Sequence, residues 1–119
     1  MTVLSILYVE DNDDLRETIC ELLDDDEREV VAVANAELAL EAWRARTYDV
    51  LLTDISLPGM SGTDLARQIL ADNPQQWVIF CSGYDHSALC ELGPNVRAIA
   101  KAFECDDMDA LLTEIAGKL

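Results

Sequence analysis

The chain is poor in positive charge: its 119 residues include 8 Lys and Arg against 24 Asp and Glu, a formal net charge of −16. Such a surface repels nucleic-acid phosphates and anionic membranes, which argues against direct nucleic-acid binding. There is one histidine, His86, and the four cysteines (Cys20, Cys81, Cys90, Cys105) form no C-x-x-C pair, so a zinc site is not expected. Cys20 and Cys81 fall in apolar stretches and read as small core residues. No apolar run reaches the roughly 18 residues a membrane span needs, and no basic segment followed by an apolar one marks a secretory signal. These absences predict a cytoplasmic chain without membrane insertion. No linker, repeat or low-complexity tract divides it, and 50% hydrophobic content suffices for one core, so residues 1–119 are expected to form a single domain.

Apolar runs of strand length alternate with segments of helical period. Val3–Val9, Val30–Ala34, Tyr48–Thr53, Trp77–Cys81 and Val96–Ala100 read as strands. Between and after them, Asn12–Asp26, Ala36–Arg46, Thr63–Ala71, Asp85–Leu92 and Asp106–Leu119 read as helices. Their inward stripes are predicted to include Leu15, Ile19, Leu22 and Leu23 in the first, Ala36, Leu40 and Trp43 in the second, and Met108, Leu111, Leu112 and Ile115 in the last. Asn35 is a predicted N-cap, and Ser61 with Asp64 resembles a capping box. Five such units predict an α/β fold: a five-stranded parallel sheet, doubly wound as (βα)5.

In such sheets ligands bind beyond the carboxyl ends of the strands. The residues there are polar: Glu10-Asp11-Asn12 after the first apolar run, Asp54 after the third, Ser82-Gly83 after the fourth and Lys101 after the fifth. Converging carboxylates repel one another unless a cation lies among them, and an all-oxygen set suits Mg²⁺. A lysine and a hydroxyl beside them complete the parts for phosphoryl transfer, where positioning and charge neutralisation dominate. Asp54, flanked by apolar residues at a strand end, is the candidate nucleophile; a carboxylate attacking phosphorus gives an acyl phosphate.

The motifs Val9-Glu10-Asp11-Asn12, Leu52 to Gly62 (LTDISLPGMSG), Cys81-Ser82-Gly83 and Lys101-Ala102-Phe103 together resemble the receiver domain of response regulators and hybrid histidine kinases. The resemblance spans essentially the whole chain and implies a flavodoxin-like sheet with strand order 2-1-3-4-5. It implies that Asp54 accepts a phosphoryl group from a phosphohistidine, and that Asp11, Asp54 and the Ser56 backbone carbonyl bind Mg²⁺ with Glu10 reaching it through water. It also implies that Ser82 and Lys101 hold the phosphoryl oxygens. The implied partners are a histidine kinase or histidine phosphotransfer protein and a downstream effector. The chain suits either a stand-alone regulator or a receiver within a larger protein.

Three departures fall on the family's output face. Ala102 stands where the family has proline after the lysine, Ala98 stands where it has a switch aromatic, and the Ser82–Lys101 segment is shorter and interrupted by Gly93-Pro94. Ala98 and Ala102 keep open a receiver-like interaction module that keeps the pocket but signals without phosphorylation. A haloacid-dehalogenase-type phosphatase is a poor fit, because its second acid would fall at Ser56 and its nucleophile follows the first strand. A calcium loop starting at Asp11 fails at Arg16 and Leu22, and a flavodoxin-like nucleotide binder would not carry Glu-Asp-Asn in its phosphate loop.

Overall fold

The computed structural model describes residues 3–24, 27–55, 57, 59–82, 93–100 and 105–118, with Ser82, Ala100, Cys105 and Asp106 described by their backbone alone. Five strands, β1 (Leu4–Val9), β2 (Arg28–Val33), β3 (Val50–Asp54), β4 (Trp77–Ser82) and β5 (Val96–Ala100), form one sheet in the order β2-β1-β3-β4-β5. Every neighbouring pair is parallel. The described helices are α1 (Asp13–Leu23), α2 (Ala36–Ala45), α3 (Gly62–Asp72) and α4 (Cys105–Lys118). The helix expected over Asp85–Leu92 lies outside the described residues.

The period of two along the strands sends alternate side chains into two cores. Leu7, Val9, Leu51, Val78, Phe80 and Val96 face α2 and α3, joined by Ala36, Leu40, Leu65 and Ile69. Ile6, Tyr8, Leu52, Trp77, Ile79 and Cys81 face the other way, covered by Leu23 of α1 and by Met108, Leu112 and Ile115 of α4. Burial on both faces explains why the inner strands read as unbroken apolar runs rather than alternating ones.

Helix starts follow the sequence closely. Asn12, Asn35 and Ser61 each accept the backbone N–H three residues on, at 3.0, 2.9 and 3.1 Å. Each satisfies a donor that the first helical turn leaves unpaired. Two expected core positions are corrected. Leu22 is exposed, because adjacent helical residues point about 100° apart and Leu23 takes the inward direction. Cys20 is only half-buried. The second strand also begins earlier than its β-branched stretch, at Arg28, because Leu4 of β1 is its register partner and Arg28 ion-pairs with Asp109 of α4.

One buried polar residue was not evident in the sequence. Gln76, 3% exposed, donates from Nε2 to the carbonyls of Tyr48, Asp49 and Trp77 at 3.0, 3.1 and 3.2 Å. Its Oε1 accepts the Trp43 indole N–H at 3.2 Å. One side chain therefore ties α2 to the entries of β3 and β4. Replacing it, as in Gln76→Leu, leaves buried groups without partners. Chemical denaturation is expected to show a loss of about 1–3 kcal/mol, and an unchanged midpoint would mean that water replaces the amide.

Candidate functional site

The chain runs outward from β1 to β2 and then crosses back to β3, so the direction of winding reverses between β1 and β3. Crossovers leave on opposite faces there, and a crevice opens beyond the strand ends. Val9 of β1 pairs with Thr53 of β3, so one further step along each strand brings Glu10 and Asp54 out side by side. The Glu10 N–H donates to the Val33 carbonyl at 3.1 Å, which continues the β1 line to the rim. Carboxylate oxygens of Glu10, Asp11 and Asp54 all lie within 4.8 Å of one another. Glu10 and Asp54 are 2% and 6% exposed, whereas Asp11 opens to solvent.

Backbone donors orient two of these carboxylates. Asn12 N–H donates to Glu10 Oε2 at 3.1 Å, and Ile55 N–H donates to Asp54 Oδ1 at 3.0 Å. The peptide after Asp54 is held in turn: the Thr53 hydroxyl donates to the Asp54 carbonyl at 2.9 Å, and Gly62 N–H donates to the Ile55 carbonyl at 2.9 Å. Gly62 brings the first turn of α3 so near that a Cβ there would lie 1.9 Å from the Asp54 carbonyl oxygen. Only a residue without a side chain permits this docking.

Below the carboxylates, on the same face of β1, Tyr8 is buried. Burial, then the nearby carboxylates of Glu10 and Asp54, pushes its hydroxyl far above the ordinary tyrosine range, so the phenol stays neutral. Tyr8 and Gly62 were not singled out as site residues in the sequence. The period of two that carries Tyr8 to Glu10 was the available signal for the first, whereas nothing local distinguishes Gly62 from an ordinary turn glycine.

Of the residues expected at the site, Glu10, Asp11 and Asp54 are brought together. Ser82 ends β4, the neighbour of β3, with its backbone opposite Ala100 of β5. Ser56 and Lys101 lie outside the described residues, as do Ala102 and Phe103. Ala98 is exposed on β5, opposite Phe80 of β4. The donor set is hard and anionic, two of its acids are already oriented and the third is open to solvent. It fits a hexacoordinate oxygen-seeking cation such as Mg²⁺, which retains several waters.

A doubly wound parallel sheet with an acidic crevice at its switch point defines the class, that of a receiver-type α/β domain. The response regulator receiver domain family matches residues 6–113, and the chain belongs to that family of two-component signalling domains. It is 28% identical over 106 residues to the response regulator receiver protein CpdR of Brucella abortus, covering 87% of this chain and 88% of that protein. It is 35% identical over 86 residues to a cyclic di-GMP phosphodiesterase of Thermotoga maritima, covering 72% of this chain and 23% of that protein. The chain spans a quarter or less of the first curated relatives it matches, at 23%, 6% and 25% of their lengths. Among solved structures, the response regulator TrrA of Thermotoga maritima, in complex with Mg²⁺-BeF, superposes with a TM-score of 0.84 at 25% identity, covering 95% of this chain and 99% of that one. Among the described residues, no helix is long and apolar enough to cross a membrane.

Two outcomes follow from this packing. Gly62→Ala forces α3 off the end of β3, with an expected loss of about 1–3 kcal/mol in urea unfolding. Asp54→Asn removes one of three crowded charges while keeping an oxygen for the Ile55 N–H. In metal-free buffer it should unfold at a higher temperature than the native chain, by about 1 kcal/mol of stability. Added Mg²⁺ should then raise the native midpoint more than the variant's.

Proposed function

We propose that residues 1–119 form one receiver domain that acts as a phosphorylation switch, with Asp54 as phosphoacceptor. The supporting observation is the convergence of Glu10, Asp11 and Asp54 at the β1/β3 switch point, with ligand oxygens within 4.8 Å. In this reading Asp11, Asp54 and the Ser56 carbonyl hold Mg²⁺ directly and Glu10 holds it through water. When bound, Mg²⁺ supplies neutralising charge for the carboxylates and for the phosphoryl oxygens.

The Ile55 N–H orients one Asp54 oxygen at 3.0 Å, and in this reading the other is the attacking atom. That oxygen forms a bond to phosphorus while the P–N bond of a phosphohistidine breaks, its electron pair leaving on the imidazole nitrogen. Attack of water on the same phosphorus later restores the carboxylate. Ser82 and Lys101 are assigned to the phosphoryl oxygens, a role carried from the family resemblance. The donor would be a histidine kinase or a histidine phosphotransfer protein, and the output a change in the surface offered to an effector. Catalysis is confined to the domain's own phosphorylation and dephosphorylation, and the setting is the cytoplasm. A module signalling without phosphorylation rests only on the substitutions Ala98 and Ala102, while the acid cluster speaks for the phosphorylated switch.

Incubation with acetyl phosphate and Mg²⁺, followed by intact mass spectrometry, tests the reading. The native chain should gain one phosphoryl group; Asp54→Asn and an EDTA-treated sample should gain none. Failure of the native chain to gain mass with acetyl phosphate, and again with a phosphohistidine donor, would reject Asp54 as acceptor.

A further inference from the structure

The three carboxylates are not held alike. Glu10 and Asp54 are buried and accept backbone N–H groups. Asp11 is exposed, so packing does not restrain it. The peptide after it is held by Glu10 Oε2 through the Asn12 N–H, and the peptide before it by Arg16, one turn into α1. Its Nη1 donates to the Glu10 carbonyl at 2.9 Å, and its Nη2 donates to Asp13 Oδ1 at 2.6 Å. The two acceptors bracket Asp11 in the chain, one on the residue before it and one two residues after. The Arg16 backbone N–H also reaches the Asn12 carbonyl at 2.9 Å.

The Asp13–Arg16 pair alone would be an ordinary exposed i,i+3 contact of little consequence. The bond to the Glu10 carbonyl is different, because it leaves the helix and fastens the end of β1. A planar guanidinium can serve both acceptors at once in fixed geometry, which an ammonium cannot do equally well. Residues that orient metal ligands without touching the metal typically change affinity by about 10–100-fold when removed.

From this bracket we infer that Arg16 is a positioning residue for the cation site, holding the Glu10–Asp13 loop so that Asp11 is already placed when Mg²⁺ arrives. The inference rests on the proposed reading of the acid cluster as a Mg²⁺ site. It has a sign that simple electrostatics does not share. A cation beside the site opposes Mg²⁺, so if charge were its only contribution, removing Arg16 would tighten binding. If it positions Asp11, removing it weakens binding.

The test compares native, Arg16→Gln and Arg16→Lys chains, each first shown to be folded by its urea transition. Mg²⁺ affinity is measured by calorimetric titration, and the order of the Asp11 backbone amide by ¹⁵N relaxation in metal-free buffer. Arg16→Gln is expected to weaken Mg²⁺ binding about tenfold and to lower the Asp11 order parameter from about 0.85 toward 0.6. Arg16→Lys should recover little of either, since it restores the charge without the fork. Unchanged or tighter Mg²⁺ binding in Arg16→Gln, an Asp11 amide as ordered as in the native chain, or full rescue by lysine would each overturn the inference. A native chain that binds no Mg²⁺ would instead overturn the reading beneath it.

Discussion

The parallel pairing of β1 with β3 is the contact on which the rest of the site depends. Because Val9 stands opposite Thr53, the residues that follow each strand emerge at the same height on the same rim. A slip of one residue would turn Asp54 to the opposite face, away from Glu10. Two apolar cores of fully buried side chains, one on each face, resist such a slip, since every alternate residue would exchange cores. The register that positions the acids is therefore maintained by apolar packing far below them.

The site itself runs against the economy of the fold. Two carboxylates are buried and a third stands beside them, an arrangement that like-charge repulsion disfavours. Backbone donors at Asn12 and Ile55 offset part of that cost, and the Thr53 hydroxyl and Gly62 N–H fix the peptide that follows Asp54. A hard cation among the three carboxylates would offset this repulsion, which is the use the proposed switch makes of it. Arg16 adds a second layer, since it acts on the loop rather than on the ligands.

The opposite pole of the sheet is built from neutral hydrogen bonding and cation–aromatic contact. Gln76 gathers three carbonyls and an indole N–H, while Arg97 and Lys118 lie 5.1 and 5.8 Å from the centre of the Trp77 ring. Neutral hydrogen bonds thus gather at the amino ends of β3 and β4, and the three carboxylates at the carboxyl ends of β1 and β3. Such a division lets one rim hold a reactive arrangement while the other anchors the strands.

Much of this was legible in the residues themselves. Five apolar runs alternating with helical period specify a doubly wound parallel sheet, because short-range periodicity reflects which faces are buried. Asn35 and Ser61 announced helix starts, since capping is a local hydrogen bond. Glu10, Asp11 and Asp54 stood out because acids following apolar strands need a reason to be there. Four residues took their places only in three dimensions. Leu22 matched the helical period but lost the inward direction to Leu23 at the end of α1. Gln76 looked like an ordinary polar residue until the fold placed carbonyls from separate segments around it, and Arg16 until the end of β1 brought the Glu10 carbonyl to its guanidinium. Gly62 looked like a turn glycine until α3 came to rest on the Asp54 carbonyl. Sequence determines what each segment buries and where a helix can begin, because those depend on neighbours within a turn or two. Which distant groups share one small volume depends on strand register and crossover, and these exist only once the sheet has formed.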